Sequence, residues 1–131
     1  MMDREREIQV WQRVLGQEPG TEDLARLLRL SRSQAEDLKT LDRELYRREQ
    51  LALGVLTGLY TLGEGRPLPG DEGKPPKLPP QARLRRCRER CREMLQLCVR
   101  LENHPRYGAV FTDLTRHRRA VCALLVQKTG K

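Results

Sequence analysis

The stretch RLRRCRERCREMLQLCVRLE, residues 83–102, decides the fold. Leu84, Cys87, Cys91, Met94, Cys98 and Leu101 follow one another at spacings of three, four, three, four and three. That is an a/d heptad seam, a helix with one narrow apolar stripe made to pack against other helices. The positions off the seam are crowded with arginine: Arg83, Arg85, Arg86, Arg88, Arg90 and Arg92. The stripe must face a core, and the arginines must face water or an acidic partner. The rest of the chain reads as whatever covers that stripe.

Composition points the same way. A chain of 131 residues is long enough to bury one real core but not two. Aromatics are scarce, β-branched runs are absent, and Leu, Arg, Glu and Gln dominate, which favours helix. No window approaches the roughly 18 uninterrupted apolar residues of a membrane span, so no membrane partner is expected. The first residues, MMDREREIQV, are charged rather than apolar, unlike a secretory leader. A cytoplasmic location is the expectation, and with it four cysteines kept as thiols rather than disulfides.

The net charge of +8 is unevenly spread: residues 1–66 carry 11 Lys/Arg and 12 Asp/Glu, residues 67–131 carry 15 and 6. A basic half can attract a phosphate-rich partner, with Arg83, Arg86 and Arg90 of the seam helix as the contacts. The plainer reading is a solvated arginine face, so nucleic acid is not the favoured partner.

Taken in order, residues 3–15 predict a short amphipathic helix on Ile8, Trp11, Val14 and Leu15, ended by Gly16, Pro19 and Gly20. Thr21 offers an N-cap, with Glu22 and Asp23 just behind it. From Ser33 to Leu62 nothing breaks a helix outright, and Ala35, Leu38, Leu41, Leu45, Ala52, Leu56 and Leu59 mark a buried stripe. Pattern alone leaves open one long helix or two joined near Asp42. Residues 63–80 hold six of the eight prolines and four glycines, an extended crossover. After a turn at residues 102–108, Pro105 can open a last helix. There Tyr107, Val110, Leu114, His117, Val121 and Leu124 step by three and four, which puts His117 on the inward seam. The expected organisation is a single helical domain: N-terminal helices in 1–62, the crossover in 63–80, and a helical pair in 81–128.

Residues 24–41, LARLLRLSRSQAEDLKTL, also admit a helix-turn-helix, with Ala25 in the first helix, Leu30 and Ser31 in the turn and Ala35 in the second. Against it, Arg29 stands where the turn wants glycine, and Glu36 and Asp37 would meet phosphate with the wrong charge.

Two segments carry a family resemblance. NHPRYGAVFTDLTRHRRAVCALL, residues 103–125, is similar to the last helix of rubrerythrin-like members of the ferritin-like superfamily, and REQLALGVLTGLYTLGEG, residues 48–65, resembles their second helix. VWQRVLG, residues 10–16, fits the leader of such proteins. The resemblance implies an all-α, ferritin-like four-helix bundle. The family's centre is di-iron or di-manganese: one Glu from each of two helices and a Glu-x-x-His from each of the others. Carried over by position, Glu49 stands at the first glutamate of these motifs with Ala52 at its histidine. His117 stands at the second histidine with Leu114 at its glutamate. Glu36 and Glu93 are the nearest candidates for the single glutamates. Half of each motif is kept, so the resemblance implies the fold and a degenerate metal site.

Two further readings concern single residues. Glu49 with His117 could form a mononuclear metal pair, or a histidine hydrogen-bonded to a carboxylate in the core. Cys87, Cys91 and Cys98 on one helix, with Cys122 on the next and His104 or His117, could bind zinc or sense redox state. Their spacing is not the C-x₂-C of structural zinc sites, and burial as small hydrophobes is the simpler expectation. No nucleophile–base constellation, phosphate-cradling glycine loop or framed carboxylate pair is present, so an enzyme is not expected. The leading expectation is a non-catalytic binding or assembly module, with a homo-oligomer or another protein as partner. A residual iron- or manganese-binding, oxidoreductase-type protein is the first alternative. A nucleic-acid-binding protein is the second.

Overall fold

The computed structural model describes residues 20–70 and 77–129. The expected helix at residues 3–15, with Trp11, lies outside the described residues. Four helices account for the described fold: α1, Thr21–Leu38; α2, Arg43–Gly58; α3, Pro80–Leu101; and α4, Gly108–Thr129. No strand occurs among the described residues, and no described helix is long and apolar enough to cross a membrane.

Local chemistry sets the helix ends. Gly20, not Thr21, is the N-cap of α1: in the left-handed region at φ 90° it turns the chain, its carbonyl accepts the Leu24 amide at 2.9 Å, and Thr21 is already the first helical residue. Glu22 and Asp23 complement the α1 dipole from its first turn. The question of one helix or two across residues 33–62 resolves as two: α1 stops at Leu38, and Asp42 caps α2 by accepting the Leu45 amide at 2.9 Å. The helix-turn-helix reading fails here, because Leu30 and Ser31 lie inside the unbroken α1. Its buried face (Leu24, Leu27, Leu28, Ser31, Gln34, Ala35 and Leu38) keeps helical spacing straight through the supposed turn. The C-terminal end of α2 widens into a π-turn, Leu59–Gly63, closed by the Glu64 amide on the Leu59 carbonyl at 3.0 Å. Gly63 is needed there. A Cβ at this position would come within 2.5 Å of the Tyr107 hydroxyl oxygen and 3.0 Å of its Cζ. Pro80 opens α3 in its first turn, where a missing N–H costs nothing.

Contacts at the ends fix the helix directions. Arg100 near the end of α3 reaches Asp23 at the start of α1 at 3.0 Å, so these two run antiparallel. Gly63 meets Tyr107 just before α4, while at the opposite end Lys128 of α4 pairs with Asp42 at the start of α2. Helices α2 and α3 therefore run in the same direction. Residues 65–70 and 77–79 are neither helix nor strand, and Arg32 of α1 holds the Pro69 carbonyl at 2.6 Å.

The seam read from residues 83–102 is buried as expected from Cys87 to Leu101, with Leu97 beside it and Leu84 only part-buried. The stripe of α4 is not the expected one. Phe111, Leu114, Arg118, Val121 and Leu125 face inward, together with Thr115, while Val110, His117 and Leu124 are only part-buried. The helix is rotated by about one residue. The inward face exchanges Val110, His117 and Leu124 for Phe111, Arg118 and Leu125, with little change in apolar content.

The core falls into two apolar clusters. One packs Leu24, Leu28, Leu56, Met94, Leu101 and Phe111; the other packs Leu38, Leu45, Cys87, Cys91, Val121 and Leu125. Between them lies a layer of polar side chains.

Candidate functional site

Three of the four helices reach that layer with a buried polar residue on the inward stripe. On α1 the apolar run Leu24, Leu28, Leu38 is interrupted by Ser31 and Gln34; on α2 Leu45, Ala52 and Leu56 flank Glu49; on α4 Leu114 and Val121 flank Arg118. Ser31, Gln34 and Glu49 are fully buried, and Arg118 is 2% exposed.

The geometry is a fork on a fork. Arg118 Nη1 donates to Glu49 Oε1 at 2.5 Å and Nη2 to Oε2 at 2.8 Å. Ser31 Oγ donates to the same Oε2 at 2.6 Å. Three helices therefore meet on one carboxylate, by the bidentate geometry that makes arginine–carboxylate pairs strong. Burial disfavours the charged guanidinium, but the adjacent Glu49 outweighs it by charge and hydrogen bonds. Arg118 is held above the ordinary arginine range and stays cationic.

A second set joins α1 to α3 at the edge of the layer. Gln34 donates to the Cys87 carbonyl at 2.8 Å and accepts from Arg90 at 2.7 Å. Asp37 accepts from Arg86 at 2.7 and 3.1 Å and from Arg90 at 3.1 Å. Arg83 donates to Thr40 Oγ1 at 2.8 Å. The three arginines singled out for nucleic acid thus lean across α1. The outward arginines of α3 and α4 are Arg85, Arg92, Arg100, Arg116 and Arg119.

The four metal candidates are not brought together. Glu49 is engaged by Arg118 and Ser31. His117 is half-buried, with Nε2 3.0 Å from the Arg48 carbonyl oxygen rather than on the Glu49 carboxylate. Glu36 is exposed on α1, and Glu93 pairs with Arg26 at the surface at 2.5 Å. Ala52 and Leu114 are apolar core residues. Among the described residues no group of three or more His, Cys, Asp or Glu is placed to hold a metal ion. This donor set does not fit a di-iron or di-manganese centre, because its one buried carboxylate is already neutralised by a fixed guanidinium.

Cys87, Cys91 and Cys98 are buried, Cys122 is half-buried, and all four are free thiols. Burial first, and Asp37 second, push the Cys87 thiol up to about 11. Burial does the same for Cys98, up to about 11. His104, weighed with them as a zinc ligand, sits elsewhere. Its Nδ1 accepts the amides of Arg106 and Tyr107 at 3.1 and 3.2 Å, and its Nε2 faces Glu64 at 4.0 Å. It clasps the α2 π-turn to the α3–α4 connection.

Arg118 escaped the reading of the sequence because a charged residue is normally excluded from a seam. The signal was nonetheless present: the stripes of α2 and α4 each carry one charged residue at a heptad position, of opposite sign. Compared with protein-family models, curated proteins and solved structures, the chain finds no match.

Proposed function

We propose that this chain is a non-catalytic helical module that binds or assembles through the outer face of α2. The observation that supports this reading is an apolar stripe turned to water. Leu51, Val55 and Leu62 are 64%, 41% and 88% exposed. With Gly58 they step by four, three and four, the same seam spacing that buries α3. Gly54 and Gly58 lie along this face, and a Cβ at either would meet nothing within 4 Å, so a partner helix can approach the backbone closely. The interior of the bundle is already filled by its own four helices. This stripe is a fifth surface of the same kind, and a second copy of the chain is the partner the proposal names first.

The ferritin-like resemblance enters as ancestry. One long crossover between two antiparallel helix pairs is a ferritin-like topology, and Glu49 is the retained ligand. In this proposal the guanidinium of Arg118 supplies, between helices, the positive charge that a metal supplies in the family. A bundle so altered keeps its scaffold and gives up metal chemistry.

Sedimentation of the full chain at micromolar concentration tests the proposal. A dimer or higher oligomer that a Leu51→Glu, Leu62→Glu double variant converts to a folded monomer is the expected result. A wild-type monomer that also retains no protein partner on a column would overturn it.

A further inference from the structure

We propose that Cys91 and Cys122 form a redox-active dithiol: a hydroperoxide oxidises Cys122, and Cys91 then resolves it as a disulfide stapling α3 to α4. The pair bridges the two most extensively packed helices of the fold. Cys91 Sγ lies 4.0 Å from the carbonyl oxygen of Arg118, one helical turn before Cys122. The Cys122 side chain packs against the apolar cluster that contains Cys91, near enough for each thiol to shift the other's proton affinity. They differ in access. Cys91 is fully buried, whereas Cys122 is half-buried and can be reached by a small solute.

The surroundings divide the roles. The neighbouring Cys122 and burial both push Cys91 up, so it stays a thiol until a reaction begins. The neighbouring Cys91 thiol, then the positive charges of Arg118 and Arg92, hold Cys122 below the ordinary cysteine range despite partial burial. The remaining thiols lack these features. Cys87 and Cys98 are buried on α3 with their protons held up to about 11, so they serve as internal controls.

The chemistry balances in two steps. The Cys122 sulfur attacks the outer oxygen of the hydroperoxide. An S–O bond forms, the O–O bond breaks, and the departing alkoxide or hydroxide takes the thiol proton, leaving a sulfenic acid. The Cys91 sulfur then attacks Cys122. An S–S bond forms, the S–O bond breaks, and hydroxide leaves as water with the Cys91 proton. Sulfur has lost two electrons and the peroxide has gained them.

The test treats the reduced full chain with equimolar hydrogen peroxide, blocks remaining thiols, and maps them by mass spectrometry. The expected product is one intramolecular Cys91–Cys122 disulfide with Cys87 and Cys98 blocked as free thiols. Cys91→Ala should stop at a sulfenic acid on Cys122 that a dione reagent traps. Cys122→Ser, at a half-buried position that tolerates the change, should abolish oxidation at Cys91. Circular dichroism establishes that each variant is folded. Disulfides distributed over Cys87 or Cys98, cross-links only between chains, or Cys122 left unoxidised in folded protein would each overturn the proposal.

Discussion

The guanidinium of Arg118 grips both oxygens of the Glu49 carboxylate from the facing helix, at 2.5 and 2.8 Å, in the middle of the bundle. The pair is shut away from solvent, at 2% and 0% side-chain exposure, so screening by water and salt is weak there. Its effect on stability is therefore asymmetric. Removing one partner strands a buried charge, while removing both removes the need for either.

Arg118→Met should destabilise the chain by about 3–5 kcal/mol, because Glu49 remains buried with only Ser31 as partner. Adding Glu49→Leu to that variant should recover most of the loss. Urea unfolding of the two single variants and the double variant measures the coupling. Additive losses would mean that the pair acts as two independent residues.

The neighbouring His117 should matter far less. Its ring makes one hydrogen bond, to the Arg48 carbonyl, so His117→Ala should cost on the order of 1 kcal/mol. Ferrous iron or manganese added to the wild type should leave its melting temperature unchanged, since ligand binding to the folded state alone would raise it. A metal-dependent rise that disappears in His117→Ala would contradict the geometry described here.

Asp42 ties two helices at one end of the bundle, capping α2 and pairing with Lys128 of α4. Asp42→Ala should cost about 1 kcal/mol near neutral pH. The Leu45 amide first, and Lys128 second, hold its carboxyl below 3.8. A depressed carboxylate contributes stability above its unfolded value and loses it as pH falls through the folded one. The difference between wild type and variant should therefore be constant above 3.8 and close below it, which denaturant titrations at several pH values would reveal.

The buried thiols of α3 should make the fold sensitive to alkali. Cys87 and Cys98 are raised from 9.0 to about 11, so over that range the unfolded chain loses protons that the folded chain keeps. Stability must then fall as pH rises from 9.0 towards about 11. A Cys98→Ala variant should show a shallower fall in unfolding midpoint over the same range. Equal slopes would show that Cys98 ionises as easily in the folded chain as in the unfolded one.

These residues also show what the sequence made legible. The seam of α3 could be read because cysteine, methionine and leucine recur at strict heptad spacing among arginines, and period alone places them. The division of residues 33–62 into two helices could only be narrowed to Asp42, since the break depends on its side chain accepting the Leu45 amide. In α4 two stripes one residue apart are nearly equal in apolar content, and Leu114 and Val121 belong to both. Choosing between them takes knowledge of the facing helix, where Glu49 waits. Pairings between distant segments, such as Arg118 with Glu49 or Arg90 with Gln34, leave no periodic trace in either segment alone.

The rotation of α4 carries a consequence of its own. A helix with two almost equivalent apolar faces could settle on either, and hydrophobic burial is too blunt to arbitrate between them. The carboxylate of Glu49 is a sharp arbiter. It rejects the face that would present His117, because Arg118 would then point to water and leave the acid stranded, and it accepts the face that answers it charge for charge. A single ion pair thus acts as a key that fits one angular setting of one helix. The other setting remains encoded in Val110 and Leu124, a latent alternative that an altered charge at position 49 would be enough to uncover.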